Sequence, residues 1–131
     1  MAKLIIYGTL PSANEYIKAC RTNKYVAAKM KKDAEQHITA YIKEQIPDVH
    51  YEKTCELKFR WYMPNKKKDI DNIAFSKKYV LDALVSNQTI LADGWRGVIG
   101  FTDEFYVDKD NPRIEVEINE MFISEIEIER V

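Results

Sequence analysis

Cys55-Glu56-Leu57-Lys58-Phe59-Arg60-Trp61-Tyr62-Met63 alternates without a break. Cys55, Leu57, Phe59, Trp61 and Met63 share one face, and Glu56, Lys58, Arg60 and Tyr62 the other. A period of two predicts a half-buried strand over Glu52–Met63, its apolar face turned to a second layer. The flanks say what that layer is. Upstream, Ala27, Ala28, Met30, Ala34, Ile38, Tyr41, Ile42 and Ile46 recur among charges, predicting a long helix from near Tyr25 to Ile46 that Pro47-Asp48 stops. Downstream, Pro64-Asn65 ends the strand. Ile73, Val80, Leu81 and Leu84 then mark the buried stripe of a second helix over Asp71–Leu84.

Further out, Lys3–Gly8 reads as a short strand. Gly8–Asn14 reads as a loop, with polar tips at Asn14 and Tyr16 and with Cys20 in a polar loop. Beyond the second helix, Leu91-Ala92-Asp93-Gly94 carries a turn signal. Gly97–Val107 is a candidate strand, Asp108–Pro112 a turn, and Arg113–Asn119 and Ile123–Val131 alternate again. The order β-α-β-α-β-β predicts an α+β fold: one two-layer domain over residues 1–131, a mixed sheet with two main helices on one face.

At 131 residues, 46% apolar and 31% charged, the chain can bury a core and is not of disordered composition. No apolar run approaches a membrane span, and the N-terminus is too short and strand-like for a signal peptide, so a cytoplasmic location is the default expectation. Cys20 and Cys55 have neither metal-type spacing nor a disulfide framework. The net charge of −1 hides an asymmetry: acids dominate from Phe101 onward, leaving the rest net basic. That segregation fits a one-sided nucleic-acid surface, and equally a solvated acidic strand edge.

The chemistry concentrates behind Lys66-Lys67-Lys68, in Asp69-Ile70-Asp71-Asn72. Two carboxylates so close repel unless a positive charge sits between them. A divalent cation such as Mg²⁺ suits them, because it takes a few carboxylates and keeps positions for water and phosphate. Asp93 follows in a turn, and the chain from Val85 to Asp93 is long enough to return past the helix. The spacing therefore permits Asp69, Asp71 and Asp93 to share one ion. The competing reading is helix capping, for which an Asp is equally suited. On one continuous helix, Asp71, Phe75, Lys78 and Asp82 fall on one face, so Lys78 can reach the carboxylates or a phosphate, or simply pair with Asp82. Lys77 is its rival and lies nearer the apolar stripe. Lys66, Lys67 and Lys68 would contact phosphates, or form a solvated turn.

Taken together, Lys68-Asp69-Ile70-Asp71-Asn72, Leu81-Asp82-Ala83-Leu84 and Asp93, with Pro11-Ser12-Ala13-Asn14-Glu15-Tyr16 near the N-terminus, resemble the RusA family of Holliday junction resolvases over about residues 4–120. The resemblance implies a Mg²⁺- or Mn²⁺-dependent endodeoxyribonuclease of bacteria, phages or prophages, acting as a homodimer that cuts four-way DNA junctions by paired symmetrical nicks. It implies metal-binding carboxylates at Asp69, Asp71 and Asp93; Lys66, Lys67, Lys68, Lys77 and Asn14 are the expected DNA contacts. Aligned backward from Leu81-Asp82-Ala83-Leu84, the family's catalytic lysine falls at Lys78. Here the chain departs from the family pattern: the interval from Asp71 is three residues longer, and Phe75 occupies the shorter spacing.

Overall fold

A computed structural model of the chain describes residues 1–121. The elements run β1 (Ala2–Tyr7), α1 (Ala13–Thr22), α2 (Lys24–Gln45), β2 (Cys55–Met63), α3 (Ile70–Ala74), α4 (Lys77–Ser86), β3 (Val98–Val107) and β4 (Arg113–Glu120). The strands form one mixed sheet in the order β1-β4-β2-β3. β4 is antiparallel to both β1 and β2, whereas β3 runs parallel to β2. The α+β two-layer reading is thus the observed fold. The alternating stretch Ile123–Val131 lies outside the described residues.

The alternation of β2 does what its period demands. Cys55, Leu57, Phe59 and Trp61 are buried, with Leu4, Ile6, Ile114, Val116 and Ile118 of the neighbouring strands beside them. Ala34, Ile38 and Ile42 of α2 and Tyr79, Val80, Ala83 and Leu84 of α4 close the core from above. Each large side chain removed from water contributes about 1.5–3 kcal/mol, so this single interface carries the stability of the fold. The opposite sheet face is polar. Arg60 bridges Glu104 (3.2 Å) and Glu117 (3.1 Å), and Arg113 bridges Asp108 (2.8 Å) and Glu115 (2.9 Å) while lying over the Tyr62 ring.

Two helical expectations need correction. The segment around Asn14, Tyr16 and Cys20 is helix α1, not loop. Ser12 and Glu15 form a reciprocal capping box, each side chain bonded to the other's backbone N–H, and this starts the helix directly after Pro11. The helix expected over Asp71–Leu84 breaks at Phe75-Ser76. There the backbone tightens to three-residue bonds, Ser76 N–H to the Ile73 carbonyl and Tyr79 N–H to the Ser76 carbonyl (both 3.1 Å). The cause is tertiary: buried Ser76 donates its hydroxyl to the Pro11 carbonyl (2.7 Å), and Phe75 packs against Tyr16 and Tyr79.

The two sheet edges are treated differently. On β1 the Ile5 N–H donates to Gln45 Oε1 and Gln45 Nε2 donates back to the Ile5 carbonyl (both 2.8 Å). His37 Nε2–H donates to the Tyr7 carbonyl (2.8 Å). Side chains of α2 thus stand in for a fifth strand. On the outer side of β3 no strand is paired among the described residues.

Candidate functional site

Asp69 stands at the N-cap of α3, yet its side chain makes no capping hydrogen bond, so capping does not account for it. Asp71, in the first helical turn, accepts the adjacent Asn72 N–H (2.9 Å) and no other described donor. Both aspartates are exposed, and no described cation pairs with either. The site's frame comes from the N-terminal segment. Asn72 Oδ1 accepts the Asn14 backbone N–H (2.9 Å), Lys68 Nζ pairs with Glu15, and Ser76 reaches Pro11. The two motifs, separated by 58 residues at the Asn14–Asn72 bond, thereby meet at one end of the molecule. Burial would raise the Glu15 carboxyl, but hydrogen bonds from Lys68 and Ser12 outweigh it and hold the group below its ordinary value. Glu15 is therefore a fixed anion, paired with the lysine that directly precedes Asp69. It was missed as a site residue, although it ends the capping-box pattern Ser12-Ala13-Asn14-Glu15.

Asp93 does not join them within one chain. β2 and β3 are parallel, so the α3–α4 crossover carries the chain back to the start of β2 before β3 begins. The Cys55 N–H donates to the Gly97 carbonyl (2.9 Å), which fixes the Asp93 turn at that end. Asp69 follows the other end of β2, a strand of nine residues, or roughly 25–30 Å. Among the described residues no three His, Cys, Asp or Glu side chains gather into a metal site. The expected return of the Val85–Asp93 segment is thus not made inside one copy.

The lysines divide by environment. Lys77 is half-buried, pairs with Asp103 Oδ2 (2.7 Å) and lies over the Phe101 and Phe59 rings (4.5 and 5.2 Å). Asp103 Oδ1 also accepts the Nε1–H of buried Trp61 (2.8 Å), so Lys77 ties α4 to β3. Lys78 is exposed and has no described partner, because Asp82 pairs with Lys31 on α2 instead (3.7 Å). An unpaired cation in the first turn of a helix opposes the helix dipole. That placement is unfavourable for stability and suits an anionic ligand. The break at Phe75-Ser76 removes the one-helix geometry that would put Asp71, Phe75, Lys78 and Asp82 on one face. Lys66 and Lys67 are exposed in the loop before α3, where the Lys67 N–H donates to Asn65 Oδ1 (3.0 Å). Asn14 bonds through its backbone, and its side chain has no described partner.

Beside Asp69 lies a cleft of about 690 Å³. Met63, Ile73, Phe105 and Val107 supply apolar lining, and Asn65, Lys66, Lys68 and Ile70 also border it. Among the described residues, no helix is long and apolar enough to cross a membrane. No curated protein matches the chain. The family model described as endodeoxyribonuclease RusA matches residues 7–119, from the last residue of β1 almost to the end of β4. The match takes in both motifs that meet at the site, and the chain belongs to the RusA family of Holliday junction-resolving endodeoxyribonucleases.

Proposed function

We propose that this protein hydrolyses phosphodiester bonds in branched DNA, with a divalent metal ion, as a homodimer that nicks a four-way junction in pairs. The observation that carries this reading is the exposed Asp69–Asp71 pair, without a cation partner among the described residues, held against the N-terminal motif by Asn72, Lys68 and Ser76. Two carboxylates fit a hard ion such as Mg²⁺, which binds through one or two carboxylates plus substrate phosphate oxygens. When bound, such an ion lowers the pKa of water and offsets charge on the phosphate.

The chain's own residues do the rest. Asp69 and Asp71 would hold the ion at the entry of α3. Asn72 fixes that helix to α1, so the carboxylates are pre-positioned rather than ordered by substrate. Lys66 and Lys67 bring in the DNA backbone, and Lys78 offsets negative charge that develops on the phosphate. Asp93 stands too far away in its own copy, so a second copy supplies it. Each site then combines Asp69 and Asp71 of one protomer with Asp93 of the other, and a twofold dimer presents two sites to a near-symmetric junction.

The test is cleavage of labelled four-way junctions, forks, flaps and single strands with Mg²⁺ or EDTA, by wild type and Asp71→Asn. The expected result is Mg²⁺-dependent paired nicking of junctions, lost in Asp71→Asn while junction binding persists. Wild-type nicking by Asp71→Asn would refute the site. Preference for flaps or forks would redirect the substrate while leaving the chemistry.

A further inference from the structure

The cations of the fold divide into those held by an acid and those left open. Lys3, Lys31, Lys58, Arg60, Lys77 and Arg113 pair with carboxylates. At the site, Lys66, Lys67 and Lys78 have no acidic partner among the described residues. Neither do Lys18, Arg21, Lys24 and Lys32, which lie along α1 and the first half of α2. From Tyr16 to Lys32 the sequence holds six cations and no Asp or Glu, in a chain whose net charge is −1.

We propose that α1 and the turn into α2 form a track for one duplex arm of the DNA, with Lys18, Arg21 and Lys24 on phosphates of one strand; this rests on the nuclease reading above. The track starts at the site, because the Asn14 N–H at the head of α1 is bonded to Asn72 (2.9 Å). Asn14, Lys18 and Arg21 are all exposed, and their spacing of four and three residues sets them on one side of α1. The helical rise carries Lys18 about 6 Å and Arg21 about 10 Å beyond Asn14. Lys24 follows as the first residue of α2, where Asn23 Oδ1 accepts the Tyr25 and Val26 N–H groups (both 2.9 Å) and fixes the turn. A DNA strand advances about 3.4 Å per nucleotide, so the track meets phosphates roughly two to five nucleotides from the point of cleavage.

The competing reading is a solvated helix face, and it accounts for Arg21, which complements the dipole in the last turn of α1. It does not account for Lys24. That lysine opposes the dipole in the first turn of α2, where no acid stands. Further along α2 a solvated lysine is neutralised in the ordinary way, Lys29 by Asp33 one turn on (2.6 Å). The apolar groups agree. Tyr25 is 76% exposed with the Lys24 ammonium over its ring (5.4 Å), and Ile17 is exposed beside Lys18. A lysine face built only for solubility has no use for these side chains, whereas a DNA backbone offers sugars for the rings and phosphate oxygens for the Tyr25 hydroxyl.

The test is fluorescence anisotropy with a labelled four-way junction over a range of salt, in EDTA so that no cleavage intervenes. Lys18→Gln with Arg21→Gln is compared with Lys43→Gln with Lys109→Gln, which removes the same charge from exposed lysines elsewhere. All four side chains are exposed, and circular dichroism checks that both variants fold. Loss of two phosphate contacts should reduce the salt slope by about two and weaken binding about ten-fold or more at moderate salt. The control pair should keep the wild-type slope. As a second measurement, methylphosphonates placed two to five nucleotides from the point of cleavage should weaken wild type and leave the Lys18→Gln, Arg21→Gln protein unchanged, because each removes one side of the same contacts. A Lys18→Gln, Arg21→Gln protein with the wild-type slope, a control pair with an equal loss, or neutral phosphates that weaken both proteins alike would overturn the proposal. The nuclease reading fails separately, if junction binding depends on Lys18 and Arg21 as expected yet wild type cleaves no DNA in Mg²⁺.

Discussion

Replacing Gly97 with alanine should displace the Asp93 turn without touching a carboxylate. A Cβ at Gly97 would stand 1.8 Å from the Ala92 carbonyl oxygen, 2.5 Å from its nitrogen and 2.6 Å from its carbonyl carbon. Real Cβ contacts essentially never fall under 3.0 Å, so the gap to the oxygen must open by about 1.2 Å. Gly97 cannot easily supply that movement, because its carbonyl accepts the Cys55 N–H and its N–H donates to the Gly94 carbonyl (both 2.9 Å). Ala92 must therefore move, and Asp93 with it. Overpacking of this kind costs about 1–3 kcal/mol, a fall of several degrees in Tm for a domain of this size. A misplacement near 1 Å in a catalytic constellation can cost about a hundred-fold in rate. Gly94→Ala is the stability control, since its added Cβ meets nothing within 4 Å and its Tm should match wild type. Thermal melts and junction cleavage in Mg²⁺ read the two effects separately. A Gly97→Ala protein that melts and cleaves like wild type, or a Gly94→Ala protein just as destabilised, would show that the close approach of Gly97 to Ala92 does not hold the Asp93 turn.

The Tyr79 hydroxyl is buried without a hydrogen-bond partner among the described residues, and its pKa is pushed up to about 12, by burial first. Tyr79→Phe should therefore stabilise the protein by about 1 kcal/mol in urea unfolding, and a loss of that size would show that the hydroxyl has a partner after all. Burial pushes the Cys55 thiol up to about 11, whereas Cys20 is exposed, so a thiol reagent at neutral pH should label Cys20 and spare Cys55 until the protein unfolds. Because the folded pKa of Cys55 lies above its unfolded value, its contribution to stability is complete below about pH 8.5 and declines as pH rises toward 11. Urea midpoints of wild type and Cys55→Ala across that range should converge, and a constant difference would exclude the thiol as the cause.

The parts of the fold that local pattern controls were legible in the sequence. The alternation of Cys55–Met63 and Arg113–Asn119 and the spacing of Ala34, Ile38 and Ile42 mark faces that bury as expected. Helix α1 was also written there, in the Ser12–Glu15 capping box, but the neighbouring Gly8 and Pro11 pulled the segment toward a loop reading. The break at Phe75-Ser76 was not legible, because its cause is a hydrogen bond to Pro11, 65 residues away. The aspartates of the site were legible as residues, and their distribution was not. Whether Asp93 returns to Asp69 depends on β3 running parallel to β2, a pairing that no local spacing encodes. Lys77 and Lys78 differ for a similar reason: Asp103 claims the first and lies on a strand whose position is fixed only in the folded sheet.

If each site is shared between two copies, two inactive variants should restore activity when mixed. Asp71→Asn and Asp93→Asn are each expected to be inactive, since every site in either homodimer lacks one carboxylate. In a mixed dimer, one site loses both groups and the other keeps Asp69 and Asp71 from the Asp93→Asn copy and Asp93 from the Asp71→Asn copy. Random exchange makes about half the dimers mixed, each with one intact site, so the mixture should nick junctions at about one quarter of the wild-type rate, in single rather than paired cuts. A mixture as inactive as its components, under conditions where subunits demonstrably exchange, would contradict a site built from two copies.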